Sequence, residues 1–155
     1  MPQLIEFLRK VYLFESLPND ELTWLSEVGR LREFSAGETV FFEGQPAGSL
    51  FLIRQGTIEL KVRGSDDAQS VALLGPGSML GEMGMVSASG RSATAIVREN
   101  STVVEFSYSD IESRAASDLR FGMHLYRAMA GQLAKRISAT THSLAAVKEL
   151  KLRNS

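Results

Sequence analysis

The stretch between Leu31 and Ser109 is divided by ten glycines into short segments that are rich in β-branched, apolar and aromatic residues. Short strands at intervals of roughly ten residues, joined by glycine turns, are typical of antiparallel barrels. We therefore predict an antiparallel β-roll or jelly-roll barrel over about residues 31–109. The predicted strands are Leu31–Ser35, Thr39–Phe42, Ser49–Arg54, Thr57–Val62, Ser70–Leu74, Ser92–Arg98 and Thr102–Ser107.

Helical patterns flank this stretch on both sides. Residues 3–14 repeat apolar side chains at helical spacing, and Asn19 or Asp20 is a candidate cap for a second helix over 20–29. After the predicted roll, Asp110–Ala116 is expected to form a short helix. Asp118 is then expected to cap a long one, which runs over about residues 118–152 and includes two glycines where it could break. The predicted fold class is α+β, with residues 1–155 forming one domain.

The long helix carries an apolar stripe at Tyr126, Met129, Leu133, Ile137, Thr140, Leu144 and Val147. From Ile137 onward the steps follow the alternation of three and four residues that is typical of coiled coils. One chain offers this part of the helix no apolar partner beyond the roll. The sequence therefore predicts a homodimer in which the helix packs against a second copy of itself.

Composition excludes several classes of protein. The 155 residues include no cysteine, which removes disulfides, thiolate catalysis and cysteine-bound metals. No apolar run approaches the roughly 20 residues that span a bilayer, and the start lacks the pattern of a signal peptide, so we expect a cytoplasmic protein that does not bind membranes. The net charge is −1 overall, but it is −6 over residues 1–117 and +5 over 118–155. A basic solvated helix explains this asymmetry, and an acidic or nucleic-acid partner is the alternative.

The segment from Gly81 to Thr94 contains the residues best suited to binding chemistry. A short helix is predicted directly after Gly81, and the backbone N–H groups at its start favour an anion. Arg91 could bind a phosphate through two hydrogen bonds, and Ser92 adds a hydroxyl. Glu82 suits a sugar hydroxyl, so the combination favours a ribose phosphate. The alternative is that Glu82 and Arg91 simply pair with each other.

Over residues 12–144 the sequence resembles a cyclic nucleotide-binding domain of the catabolite activator protein superfamily. The resemblance is carried by Gly37, by the Glu43-Gly44 turn, by Gly56, and by the pair of motifs that run from Gly81-Glu82 to Arg91-Ser92-Ala93-Thr94. It implies that the helix after Gly81 is the short helix of a phosphate-binding cassette. It also implies that Arg91 and Ser92 contact the cyclic phosphate and that Glu82 contacts the ribose 2′-hydroxyl. The predicted binding segment comprises Gly81, Glu82, Met83, Arg91 and Ser92.

The same resemblance extends into the long helix. The segment from Gln132 to Thr141 is similar to the helix of bacterial activators in which a hydroxyl pair contacts adenine, one residue from each subunit. Thr140 and Thr141 fall on those two positions, which implies that cAMP is the ligand. Ser92 also stands where cGMP-selective kinases carry a hydroxyl residue, so cGMP is possible.

The predicted function is a regulatory sensor that binds a cyclic nucleotide and transmits its ligand state through the C-terminal helix to an unknown output protein. No arrangement of catalytic or metal-binding residues stands out in the sequence, so we expect neither an enzyme nor a metal site. The chain stops near the end of the long helix, and no DNA-binding element is expected in it. Two alternatives stay open: the sensor part of a longer transcription regulator, and a degenerate roll that serves only as a dimerisation scaffold.

Overall fold

A computed structural model describes the backbone of residues 2–64, 67–87 and 90–153, with side chains from 3 to 137 within those ranges. Helices α1 (Pro2–Lys10) and α2 (Asn19–Val28), with a 3₁₀ turn at Tyr12–Phe14 between them, precede the strands. The strands and the short helix inserted among them are β1 (Arg30–Phe34), β2 (Thr39–Phe41), β3 (Ser49–Arg63), β4 (Ala68–Leu74), β5 (Met79–Leu80), α3 (Met83–Ser87) and β6 (Thr94–Ser107). Helices α4 (Tyr108–Ser117) and α5 (Leu119–Arg153) follow.

The described strands form one antiparallel sheet around two long central strands. Strand β3 pairs with β6 along almost its whole length, β4 and β5 pair with β3, and β1 and β2 pair with β6. This arrangement confirms the predicted α+β fold with a β-roll. The sequence also predicts a hairpin tip at Ser65-Asp66-Asp67, of which Ser65 and Asp66 lie outside the described residues.

Two pairs of predicted strands are each a single strand in the structure. The sequence divides β3 at Gly56, but the strand continues through this residue with irregular register on either side. Gly56 has φ +101°, and a Cβ atom there would lie 2.1 Å from the Ser101 hydroxyl oxygen. The glycine therefore permits a close approach of β3 to β6 where the sequence analysis expected a turn. The two-residue strand β5 was missed because it is too short to show a pattern.

Buried apolar residues form two clusters. The inside of the roll is filled from the strands, by Phe34, Phe41, Phe51, Ile53, Ile58, Leu74, Leu80, Ala95, Val97 and Val103. The second cluster joins one face of the sheet to the helices and includes Leu4, Leu8, Leu25, Leu52, Phe106, Tyr108, Phe121, Leu125 and Met129. Trp24 packs against this cluster with its ring edge-to-face on Phe121.

The helix starts agree only partly with the predicted caps. The predicted cap at Asn19 or Asp20 is wrong: Pro18 occupies the cap position of α2, and no side chain caps that helix there. The Asn19 side chain instead accepts a hydrogen bond from Arg9. Asp118 does cap α5, because its Oδ1 accepts from the Phe121 N–H at 3.1 Å.

Helix α5 has 35 residues and shows no break at either glycine. It would be about 52 Å long at 1.5 Å per residue. Gly122 lies directly against α4, since a Cβ atom there would be 3.0 Å from the Cβ of Ala115. This glycine therefore lets two helices pack closely and does not interrupt one. Within the described residues, no helix is long and apolar enough to span a membrane.

The apolar stripe predicted on α5 needs one correction. Met129 is 1% exposed and lies in the buried cluster to which the helices and the sheet both contribute. The outer face instead presents a row of exposed or half-buried residues at steps of four and three: Leu119, Met123, Tyr126, Ala130, Leu133 and Ile137. The side chains of Thr140, Leu144 and Val147, which would extend this row, lie outside the described residues.

Candidate functional site

The residues of the predicted binding segment converge at one end of the roll. Gly81 and Glu82 follow β5, Met83 opens the single turn of α3, and Arg91 and Ser92 lie on the return to β6. Ala88 and Ser89, in the connecting loop, lie outside the described residues. Helix α5 crosses this end of the roll, with Gln132 and Arg136 facing the site.

Arg91 is a buried cation that is held in place by neutral groups. It is 8% exposed, and its Nη1 donates to the backbone oxygens of Ser49 at 2.7 Å and Gly81 at 3.2 Å. The guanidinium lies 4.3 Å from the centre of the Phe41 ring. Burial lowers the pKa of Arg91 below its ordinary value, and the neighbouring Tyr108 and Glu105 oppose this shift.

Among the described residues, no carboxylate lies within ion-pair distance of Arg91. A buried charge without a counter-ion is costly, and an incoming anion would reduce that cost. The environment of Arg91 therefore favours binding of an anion such as a phosphate.

Gly81 allows Arg91 to approach the backbone this closely. Its φ is +82°, which strains any residue with a Cβ atom, and a Cβ built there would lie 2.7 Å from Arg91 Nη1. The glycine of this motif is thus required both by its own conformation and by the position of the arginine.

Glu82 does not pair with Arg91, so the alternative interpretation of these two residues is wrong. Its carboxylate is only 1% exposed and accepts from Arg136 Nη1 at 2.9 Å and from Gln132 Nε2 at 3.4 Å. Burial lowers the pKa of Arg136, and the nearby Glu82 opposes that shift. The buried carboxylate is therefore already neutralised by a cation from α5.

Gln132 and Arg136 were not singled out as site residues by the sequence analysis. Gln132 forms two hydrogen bonds with the backbone of Met79, accepting from its N–H at 2.9 Å and donating to its oxygen at 3.0 Å. Arg136 also donates to the Met79 oxygen. Their spacing of four residues places both on one face of the helix, and this was the only signal that could have identified them.

The space between these residues is small. The cavity lined by Arg91, Glu82, Ser92, Met83 and Arg136 has a volume of about 30 Å³, whereas pockets for drug-sized ligands measure about 300–1,000 Å³. Ser92 is exposed, and Met83 is 38% exposed at the rim. A ligand larger than a few water molecules would therefore have to displace neighbouring groups, and the Arg136 side chain, which is 24% exposed, is one of them.

Thr140 and Thr141 belong to the same helix, about one turn beyond Arg136. Their side chains lie outside the described residues, so their predicted contact with a base stays a prediction.

A larger groove of about 930 Å³ lies between the N-terminal helices and α5. Its charged side chains include Lys10, Arg127 and Lys135, and the last lies over the ring of the exposed Tyr12. The smaller cavity is the better candidate site, because a buried cation and a buried carboxylate meet there. In the described part of the chain, no three histidine or acidic side chains are grouped so as to hold a metal ion.

Comparison with known proteins supports the family that the motifs indicate. Residues 31–118 match the family described as "Cyclic nucleotide-binding domain". Human cGMP-dependent protein kinase 2 is 30% identical over 100 residues, which are 63% of this chain and 13% of the kinase. The cyclic AMP receptor protein of Thermus thermophilus is 25% identical over 144 residues, which are 92% of this chain and 58% of that protein.

Solved structures share the fold. A cyclic nucleotide-binding domain from Methylobacillus flagellatus superposes with a TM-score of 0.83 at 20% identity, covering 94% of this chain and 82% of that one. The chain spans about an eighth of the kinase and somewhat more than half of the receptor protein. The family match covers more than half of the chain and includes both motifs of the site. The chain belongs to the cyclic nucleotide-binding domain family.

Proposed function

We propose that this chain is a cAMP sensor that acts by binding and not by catalysis, and that α5 conveys the ligand state to an output protein. The observation that carries the proposal is the environment of Arg91, a buried cation whose described hydrogen-bond acceptors are all neutral. A cyclic phosphate would supply the missing negative charge. Ser92, exposed beside Arg91, would add a hydroxyl donor to the same phosphate.

The second contact in this proposal is between Glu82 and the ribose 2′-hydroxyl. The carboxylate lines the small cavity, is buried, and already accepts from Arg136 and Gln132. A ribose hydroxyl would compete with these donors for the same carboxylate. Ligand binding would therefore change the contacts of α5, which is how binding at the roll could reach the helix.

The choice of base is the finer part of the proposal. Relatives include both a cGMP-dependent kinase and a cyclic AMP receptor, so the family alone leaves the base open. We favour cAMP because Thr140 and Thr141 follow Arg136 on α5 at the positions implied for adenine contact. A hydroxyl near the six position of the base can accept from the adenine amino group.

The test of phosphate binding is a calorimetric titration with cAMP. The unaltered chain should bind, and Arg91→Ala should weaken binding by about 100-fold to several thousand-fold, the equivalent of about 3–5 kcal/mol for stranding a buried charge. Arg98→Ala, which removes an exposed arginine paired with Glu59 on the sheet surface, is the matched control and should change affinity little. No heat of binding for the unaltered chain would favour the degenerate scaffold instead. Loss of less than about threefold in Arg91→Ala would refute the role of Arg91.

The test of base choice is competition between the two nucleotides. We expect cAMP to bind more tightly than cGMP by about 1–3 kcal/mol, the value of one or two hydrogen bonds. Thr140→Ala combined with Thr141→Ala should narrow this difference and leave most of the binding in place. Displacement of cAMP by an equal or lower concentration of cGMP would contradict the proposed preference.

The proposal also includes a homodimer through α5 and a cytoplasmic location. The exposed row on α5, Leu119 to Ile137, supports the dimer. A longer regulator that contains this chain as its sensor is compatible with the proposal, because the receptor protein of Thermus thermophilus extends beyond the matched region.

A further inference from the structure

Tyr108 joins the predicted phosphate site to the helices. It is the first residue of α4, and it is 8% exposed. Its ring belongs to the buried apolar cluster that includes Phe121 and Met129 of α5. Its hydroxyl donates to the Gly81 oxygen and accepts from Arg91 Nη1 at 3.3 Å. One side chain thus contacts both the glycine and the arginine of the binding motifs.

The backbone around Tyr108 fixes it at the same place. Its N–H donates to the Gly48 oxygen at 3.0 Å, and the next residue along β3, Ser49, provides the carbonyl that accepts from Arg91. Burial raises the pKa of the Tyr108 phenol, while the neighbouring Arg91 opposes the shift. The phenol therefore stays protonated and remains a donor to Gly81.

The contacts of Nη1 determine how Arg91 presents its charge. Guanidinium is a rigid plane, so the three acceptors that share the two N–H groups of Nη1 fix the orientation of the whole group. Two of these acceptors are backbone oxygens, and the third is the Tyr108 hydroxyl. Removal of the hydroxyl would leave the charge in place but would loosen its orientation.

We propose that Tyr108 is a positioning residue for cyclic nucleotide binding, which orients Arg91 and the Gly81 carbonyl through its hydroxyl. This inference rests on the proposed function. It extends that function because Tyr108 connects the phosphate site to α4 and to the buried helical cluster. No motif of the sequence indicates this residue.

The test compares Tyr108→Phe with the unaltered full chain. The ring is kept, so the variant should fold, and its affinity for cAMP should fall by roughly 10- to 150-fold, the effect of one hydrogen bond to a charged group. Tyr12→Phe, at a 70% exposed position on the 3₁₀ turn between α1 and α2, is the matched control and should change affinity by less than about twofold. An affinity of Tyr108→Phe within about twofold of the parent would overturn the proposal.

A second measurement separates positioning from general destabilisation. In the Arg91→Lys background, Tyr108→Phe should lower affinity by no more than about twofold, since the oriented guanidinium is already gone. A loss as large as in the parent would mean that Tyr108 acts on the fold and not through Arg91, and would overturn the proposal.

A third measurement needs no ligand. Nitrogen NMR of the arginine side chains of the free protein should show restricted rotation of the Arg91 guanidinium. The Arg91 signal is assigned as the one that disappears in Arg91→Lys. Tyr108→Phe should increase that rotation, and unchanged rotation would overturn the positioning role. This measurement also separates the two proposals. If rotation is restricted and depends on Tyr108 but the parent chain binds no cyclic nucleotide, then the proposed function is wrong while the contact between Tyr108 and Arg91 is confirmed.

Discussion

At the scale of single residues, the site depends on a glycine as much as on its charged groups. Gly81 has a positive φ, and a Cβ atom built on it would lie only 2.7 Å from Arg91 Nη1. Gly77 has a similar φ of +88°, but a Cβ atom there would meet nothing within 4 Å. Comparison of alanine substitutions at the two glycines therefore separates the effect of backbone strain from the effect of displacing Arg91.

We predict that Gly81→Ala lowers both stability and affinity. The strained backbone should cost about 1–2 kcal/mol of unfolding free energy, as measured by urea denaturation, and displacement of Arg91 should weaken cAMP binding at least tenfold. Gly77→Ala should show a similar loss of stability with little change in affinity. Equal losses of affinity in the two variants would show that strain alone explains the effect.

At the scale of elements, the important contact is between α5 and the cassette. Arg136 is 24% exposed in its side chain, while its partner Glu82 is 1% exposed. Removal of the arginine would leave a buried carboxylate with only Gln132 as a described side-chain donor. Breaking a buried pair in this way is strongly destabilising, and partial exposure of the arginine reduces the cost.

We predict that Arg136→Met lowers the unfolding free energy by about 1–3 kcal/mol. The double variant with Glu82→Gln should lose less than the sum of the two single variants, since no buried charge is then left without its partner. Urea denaturation of the four proteins in the cycle measures this coupling. The Arg98–Glu59 pair on the sheet surface is the comparison and should show weaker coupling. Additive losses at Glu82 and Arg136 would contradict the contact.

Some elements could be predicted from sequence and others could not, for identifiable reasons. The roll is indicated by its glycine turns, and the short α3 helix by the Gly-Glu motif. The cap at Asp118 is indicated by a carboxylate at the start of the helical pattern. Strand continuity through Gly56 has none, because it depends on the approach of Ser101 from the distant β6. The motifs identified Arg91 and Glu82, but not which cation pairs with Glu82.

The same limit applies to the helix faces. The 3–4 spacing suggested a stripe through Met129. On a long helix, however, a second set of residues shifted by one position can show the same spacing. Only tertiary packing decides between them, and it places Met129 inside and Ala130 outside. Tyr108 was missed for a similar reason, since it contacts Gly81 and Arg91 across many residues of sequence.

At the scale of the whole molecule, charge and apolar surface are both concentrated on the C-terminal helix. Residues 118–155 carry a net charge of +5, against −6 for the preceding residues. Two copies of α5 side by side would therefore repel, and this repulsion is screened beyond about 10 Å at 0.1 M salt. An apolar seam must supply the attraction, and the row from Leu119 to Ile137 has the spacing to do so.

We predict that the chain is a dimer at physiological salt and that Ile137→Asp dissociates it. Ile137 is 66% exposed in the single chain, so the substitution should be tolerated by the fold. Across a two-fold axis it would place two like charges in an apolar seam, without partners, and the cost of burying them should dissociate the helix pair. Light scattering coupled to size exclusion measures the mass of each protein.

Leu73→Asp, at a 66% exposed position on β4, is the matched control and should remain a dimer. A monomeric parent at high protein concentration would refute the seam, and dissociation by Leu73→Asp alone would place the interface on the sheet.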